Sequence, residues 1–197
     1  MQLHKRDVVA KAAAILDNYG IADLTMRRLA RELDVTPGAL YWHFANKQQL
    51  LGAVADEVLA PACAALPATG WRERIELVCR ALRDALLSHT DGAELVSASF
   101  AAGQSRAVDH ILGVLAEAAG EAGVDGGHRV QAARTVLHYV LGVTADEQSR
   151  LQWDAAGADL PGQQSVLSTD PSAGFAFGLR LLTDGLAAQR LAIADAP

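Results

Sequence analysis

The residues with the most chemistry to offer lie between Thr25 and Lys47. Tyr41, Trp42 and His43 are three consecutive large side chains, each with a hydrogen-bonding tip. Three consecutive positions span most of a helix's circumference, so one apolar face cannot take them all. Leu40 and Phe44, four residues apart, form the apolar pair of that face. At least two of the three therefore point outward. Exposed aromatics with polar tips suit a phosphate backbone or the methyl group of thymine. Core packing is the competing reading of Trp42.

The elements that position these residues follow from periodicity and punctuation. Val8, Val9, Ala12, Ile15, Leu16 and Tyr19 share one face of a helix over about Lys5–Tyr19, which Gly20 stops. Thr25 is a good N-cap for a second helix whose buried side is Met26, Leu29, Ala30 and Leu33. Arg27, Arg28 and Arg31 fall outside that side, as DNA-facing groups or as solvated surface charges. Asp34-Val35 make a turn. Thr36-Pro37 then read as N-cap and first residue of a short helix through Gly38, Ala39 and on to Phe44. Two short helices joined by a tight turn make a helix-turn-helix, whose second helix enters the major groove of DNA. The free N–H groups at that helix's start suit phosphate. Asn46 caps a fourth helix, with Gln49 three residues on and Leu50, Leu51, Val54, Ala55, Val58 and Leu59 as its apolar side. Pro61, Pro67 and Gly70 mark a boundary. The expected organisation is residues 1–46 as the DNA-binding domain, 47–66 as a connecting helix and 67–197 as a separate helical body, which the family resemblance given below makes a ligand-binding and dimerisation domain.

Composition narrows the class. Alanine and leucine dominate and aromatics make up 5% of the 197 residues, which favours an all-α fold. The net charge of −6 is unevenly spread. Residues 1–48 hold Lys5, Arg6, Lys11, Arg27, Arg28, Arg31 and Lys47 against Asp7, Asp17, Asp23, Glu32 and Asp34, so a mildly basic head sits on an acidic body. Two cysteines, Cys63 and Cys79, make neither a disulfide framework nor a metal pair, and read as small core residues. No secretion signal or membrane span is visible, so the expected location is the cytoplasm. Enzyme motifs are missing: no G-x-S-x-G elbow, phosphate loop or H-E-x-x-H. A purely structural helical module would leave the outward aromatics unexplained.

The body continues in helical patterns. Trp71, Ile75, Val78, Leu82 and Leu86 form one stripe, ended at Asp91-Gly92. Val108, Ile111, Leu112, Leu115 and Ala119 form another. A long helix over about 127–151 carries Val130, Ala133, Val136, Leu137, Val140, Leu141 and Val143. Residues 154–171 read as a loop. A last helix over about 172–191 is apolar on more than one side, through Phe175, Phe177, Leu179, Leu181, Leu182 and Leu186. A homodimer interface formed with the long helix supplies its second partner. His89 and His110 read as surface or capping residues. Phe100 and Trp153 have two readings, pocket wall and core, and so has His138.

Leu24-Thr25-Met26-Arg27-Arg28-Leu29-Ala30, with Val35 to Phe44 and Asn46-Lys47, resembles the tetracycline-repressor (TetR) family. The resemblance extends into the body through Ala85–Ala93, His138–Gly142 and Phe177-Gly178-Leu179. It implies a dimeric transcriptional repressor that leaves a near-palindromic operator when a small molecule binds the body. It implies that Arg27 reads a base, and that Thr25, Thr36, Tyr41, Trp42, His43 and Lys47 contact phosphates and bases. Pro37, Gly38 and Ala39 stand where the tetracycline repressors carry larger or more polar groups, so the operator sequence differs. Positions that hold the magnesium–drug chelate in the subgroup correspond here to Val96 and Ser99, and other drug-anchoring positions to Cys63, Val78 and Leu82. His138 and Asp146 keep polar character, and Phe100 and Leu112 complete the expected pocket. Magnesium takes oxygen ligands and keeps waters, and valine offers it nothing. The resemblance therefore implies a small hydrophobic, antibiotic-like inducer other than that chelate, with no metal or cofactor. The fourth helix, joining head to body, is the expected lever.

Overall fold

A computed structural model describes residues 3–64, 69–157 and 170–194. They form α1 (Lys5–Tyr19), α2 (Met26–Glu32), α3 (Pro37–Tyr41), α4 (Lys47–Val58), α5 (Trp71–Leu87), α6 (Gly92–Ala102), α7 (Arg106–Ala122), α8 (Arg129–Ala155) and α9 (Pro171–Ala194). No strand occurs among the described residues.

Local chemistry explains the head. Gly20 leaves α1 at φ +79°, a conformation that suits glycine. The Thr25 hydroxyl accepts from the Arg28 N–H at 3.1 Å and starts α2. Asp34, at φ +53°, turns the chain between α2 and α3. Pro37 opens α3. Asn46 Oδ1 accepts from the Gln49 N–H at 2.9 Å, while Gln49 Oε1 accepts from the Ala45 N–H at 3.0 Å. These reciprocal bonds hold the entry to α4.

The structure corrects several expectations. α3 ends at Tyr41 rather than Phe44, although the N–H groups of His43 and Phe44 still reach the Leu40 carbonyl. Helix α6 had no expected counterpart. Its Ala93, Ser97, Ala98, Ala101 and Ala102 are too small to draw a wide apolar stripe. α8 runs to Ala155, a turn beyond expectation, because nothing between Leu151 and Ala155 breaks it. Val130, placed in its apolar stripe, is 58% exposed. Most of the expected 154–171 loop lies outside the described residues.

One continuous core links head and body. Val8, Ile15, Leu16, Leu29, Leu40, Phe44 and Leu50 fill the head, and the same cluster continues through Val54 and Val58 into Ile75, Leu82, Leu95, Leu115 and Val140. In α9, Phe175 and Leu179 are buried, whereas Phe177 and Leu181 are 56% and 58% exposed. Replacing Leu40, which is fully buried, by alanine is expected to lower stability by about 2–5 kcal/mol. Thermal or urea denaturation measures this, and a loss under about 1 kcal/mol contradicts the packing described for α3.

Candidate nucleic-acid interface and regulatory body

Helix α3 is anchored from one side only. Leu40 and Phe44 are buried, at 0% and 1% exposure, while Tyr41 and Trp42 are 52% and 91% exposed. His43 is half-buried. Thr25, Arg27, Thr36, Pro37 and Gly38 are exposed, and Ala39 and Lys47 are half-buried. The ten residues singled out in the head thus lie on α2 and α3, at their caps, just past α3 and at the start of α4, and six of them are exposed besides Trp42. A side chain at Gly38 would meet nothing nearer than Thr36 Oγ1 at 3.8 Å, so the fold itself leaves space there. Thr36 makes no capping bond with its hydroxyl.

Two adjacent arginines have different surroundings. Arg27 has no ion-pair partner among the described residues. Arg28 instead lies 3.7 Å over the Tyr19 ring and pairs with Asp23, its side chain only 19% exposed. It is a strut between α2 and the end of α1, not a solvated charge. Lys5 Nζ sits 4.8 Å over the Phe44 ring, a contact without a sequence signal.

In the body, the nine expected pocket residues differ in burial. Val78, Leu82, Val96 and Ser99 are fully interior. Cys63, Phe100 and Leu112 are half-buried, and His138 and Asp146 are exposed. Phe100 and His138 do meet, ring centroids 5.6 Å apart, with the Arg134 guanidinium 5.7 Å from the same phenyl ring. The hydroxyls of Ser99 and Thr144 are buried and have no hydrogen-bond partner among the described residues. Such groups carry a desolvation cost that water or a ligand can relieve. Thr144 carries no signal in the sequence, because one threonine in an apolar run looks like core. Burial pushes the Cys79 thiol well up, with Glu76 adding to it, and Cys63 is raised the same way with Asp56 contributing. Both thiols stay protonated and are poor nucleophiles.

Two cavities lie elsewhere. One of about 810 Å³ opens between head and body, lined by Lys5, Val9, Gln49, Asp56 and Gln104 among others. The other, about 440 Å³, runs between α8 and α9 beside His128, Thr135, Leu181 and Gly185. Neither contains any of the nine residues. Among the described residues, no group of three His, Cys, Asp or Glu could hold a metal ion. No described helix is long and apolar enough to cross a membrane.

Helix α4 is tied to the body at two points one turn apart. A Cβ on Gly52 would strike the Gln104 carbonyl, so only glycine allows this approach of α4 to the α6–α7 turn. Asp56 Oδ1 accepts from Ser105 Oγ at 2.7 Å and from the Ala107 N–H at 2.9 Å.

Residues 8–54 match the family model for bacterial regulatory proteins of the tetR family, and residues 64–159 match the tetracyclin repressor-like C-terminal domain. The chain is 33% identical to the class A tetracycline repressor protein from transposon 1721 of Escherichia coli, over 98% of this chain and 94% of that protein. It is similar to the crystal structure of Mycobacterium smegmatis BioQ, with 65% identity, a TM-score of 0.88, and coverage of 95% of this chain and 99% of that one. It also matches a crystal structure of BioQ with its double-stranded DNA operator, at 62% identity and a TM-score of 0.83, over 95% of this chain and 99% of that one. The helix-turn-helix head, the helical body and these matches agree: the chain belongs to the tetR family of bacterial regulatory proteins, ligand-responsive DNA-binding transcriptional repressors.

Proposed function

We propose that this repressor binds a near-palindromic operator as a homodimer and is released by a small, uncharged, largely apolar inducer. The observation that carries the DNA-reading part is the outward Tyr41 and Trp42 at the end of α3, anchored by Leu40 and Phe44, beside Arg27, which has no ion-pair partner among the described residues. Arg27 reaches a guanine edge, which a bidentate guanidinium recognises. Thr25, Thr36, Tyr41, Trp42, His43 and Lys47 grip phosphates or base edges, and Pro37, Gly38 and Ala39 lie against the groove. The open space at Gly38 supports close approach of the duplex. The relatives are regulators rather than enzymes, and the cytoplasm is the compartment where such a reader meets its operator.

The exposed Val130 of α8 and Phe177 and Leu181 of α9 support a second copy packing against these two helices. Residues 1–46 act as the reader, 47–66 as the connection and 67–197 as the regulatory body. Val78, Leu82 and Val96 supply an apolar interior, and the unpartnered Ser99 hydroxyl a polar contact within it. No charged side chain is buried among the described residues, which supports an uncharged inducer. Val96 offers no metal ligand, which sets this inducer apart from a magnesium–tetracycline chelate. Cys63, Phe100, Leu112, His138 and Asp146 line the approaches to that interior. Inducer binding shifts the α6–α7 turn, and α4 carries the shift to the head through Gly52 and Asp56. The shift cannot exceed the inducer's differential affinity for the two head arrangements.

Arg27→Ala is expected to weaken binding to duplex DNA from upstream of the protein's own gene by about 1–3 kcal/mol per half-site. A fluorescence-anisotropy titration at two salt concentrations reads this, and unchanged affinity contradicts the assigned role. Gly52→Ala touches no proposed DNA contact, yet its methyl group must push α4 off the Gln104 carbonyl. It is expected to change operator affinity at least about fivefold with the helical content preserved by circular dichroism. Wild-type affinity in that variant contradicts the α4 lever.

A further inference from the structure

The α5–α6 turn, His89-Thr90-Asp91-Gly92, joins head and body at a place separate from the α4 tie. On the head side, Thr90 Oγ1 donates to the Asp17 carbonyl of α1 at 2.9 Å. The Asp17 carboxylate accepts from the Thr90 N–H at 3.3 Å and lies 3.0 Å from His89 Nδ1. The Ile21 N–H, just past α1, donates to Asp91 Oδ2 at 2.9 Å.

The same turn is held from the body side by α8. Gln148 is buried, and its Nε2 donates to the carbonyls of Leu86 and His89 at 3.0 and 2.7 Å. Its Oε1 accepts from the Ala93 N–H at 3.0 Å. Gln152 Nε2 donates to Asp91 Oδ1 at 2.6 Å. One carboxylate therefore binds the head with one oxygen and α8 with the other.

The backbone is committed to this arrangement. Asp91 sits at φ +54°, where a non-glycine residue is strained, and such strain persists only where surroundings over-determine it. A Cβ at Gly20, itself at φ +79°, would come within 2.6 Å of Asp91 Oδ2. A Cβ at Gly92 would strike the Leu86 carbonyl. A turn with this many specific requirements is more than a loop between two helices.

We propose that this turn is a clasp that sets the orientation of the reading head, with Asp91 and Gln152 as its positioning residues. The proposal rests on the dimeric operator-binding reading above. A head tied only through α4 can rotate about that tie. Fastening α1 to the body at a second place removes the rotation. The fastening helix is α8, part of the proposed dimer interface, so the path from dimer axis to head runs through Gln152, Asp91 and Ile21. Rigid heads suit only one half-site spacing, since each added base pair both displaces and rotates the second half-site.

The test uses the full-length protein and a duplex selected from random-sequence DNA by the wild type. Two further duplexes carry one base pair inserted or removed midway between the half-sites. Gln152→Ala removes the Asp91 bond to α8 through an exposed residue, and Thr90→Val removes the hydroxyl bond to the Asp17 carbonyl of α1. Both variants are expected to keep the wild-type melting temperature while their discrimination against the respaced duplexes narrows roughly tenfold. Wild-type discrimination in both variants overturns the clasp. Arg27→Ala, as control, weakens all three duplexes alike. A wild-type protein that selects no duplex overturns the operator reading instead.

Discussion

A five-residue helix can bury very little, and the head of this protein is organised around that limit. α3 is held by Leu40, while Phe44, just beyond its end, packs into the core shared with α1 and α4. With those two positions committed inward, Tyr41 and Trp42 have no interior left to enter. Their exposure is a consequence of packing, and it creates a face that water alone does not explain. Lys5 over the Phe44 ring and Arg28 over the Tyr19 ring brace the same unit from outside. Each uses a cation to hold the scaffold, whereas Arg27 has no ion-pair partner among the described residues.

A rigid head is useful to a regulator only if the body can hold it in more than one way. The continuous core through Val54 and Val58 makes α4 part of both units. Gly52 and Asp56 then bind it to the α6–α7 turn, and the α5–α6 turn fastens α1 to α8. These are close, directional contacts: a glycine with no room for a methyl group, a carboxylate accepting two bonds, and an aspartate shared between two helices. Such contacts have few alternative arrangements, which is what the proposed lever requires if shifts in the body are to become discrete shifts of the head.

Much of this was legible in the sequence because it depends on short-range chemistry. Thr25, Pro37, Asn46 and Gly20 punctuate the head as caps and stops, and the i, i+4 pair Leu40–Phe44 alone implied the outward aromatics. What was not legible depends on tertiary contact. α6 escaped because small residues carry weak periodicity, although its burial comes from neighbours on α4, α5 and α8. Arg28 could be read as surface charge until Tyr19 and Asp23 were placed beside it. The pocket residues came from resemblance, which transfers position along the chain but not burial. That is why Val96 and Ser99 are interior while His138 and Asp146 are exposed. Gly52 and Gln152 have no local signal, and Asp91 read only as part of a turn, since their importance lies in partners 52, 61 and 70 residues away, Gln104, Asp91 and Ile21 respectively.

The central claim, that packing forces Trp42 outward onto DNA, can be read from Trp42 itself. In a Trp71→Phe, Trp153→Phe background, Trp42 is the one remaining tryptophan. Its emission should be red-shifted and readily quenched by acrylamide in the free protein. On adding a bound duplex it should shift to the blue and become protected, in step with the anisotropy of the labelled DNA. Complete DNA binding with Trp42 emission and quenching unchanged would place the duplex on another surface and contradict the account.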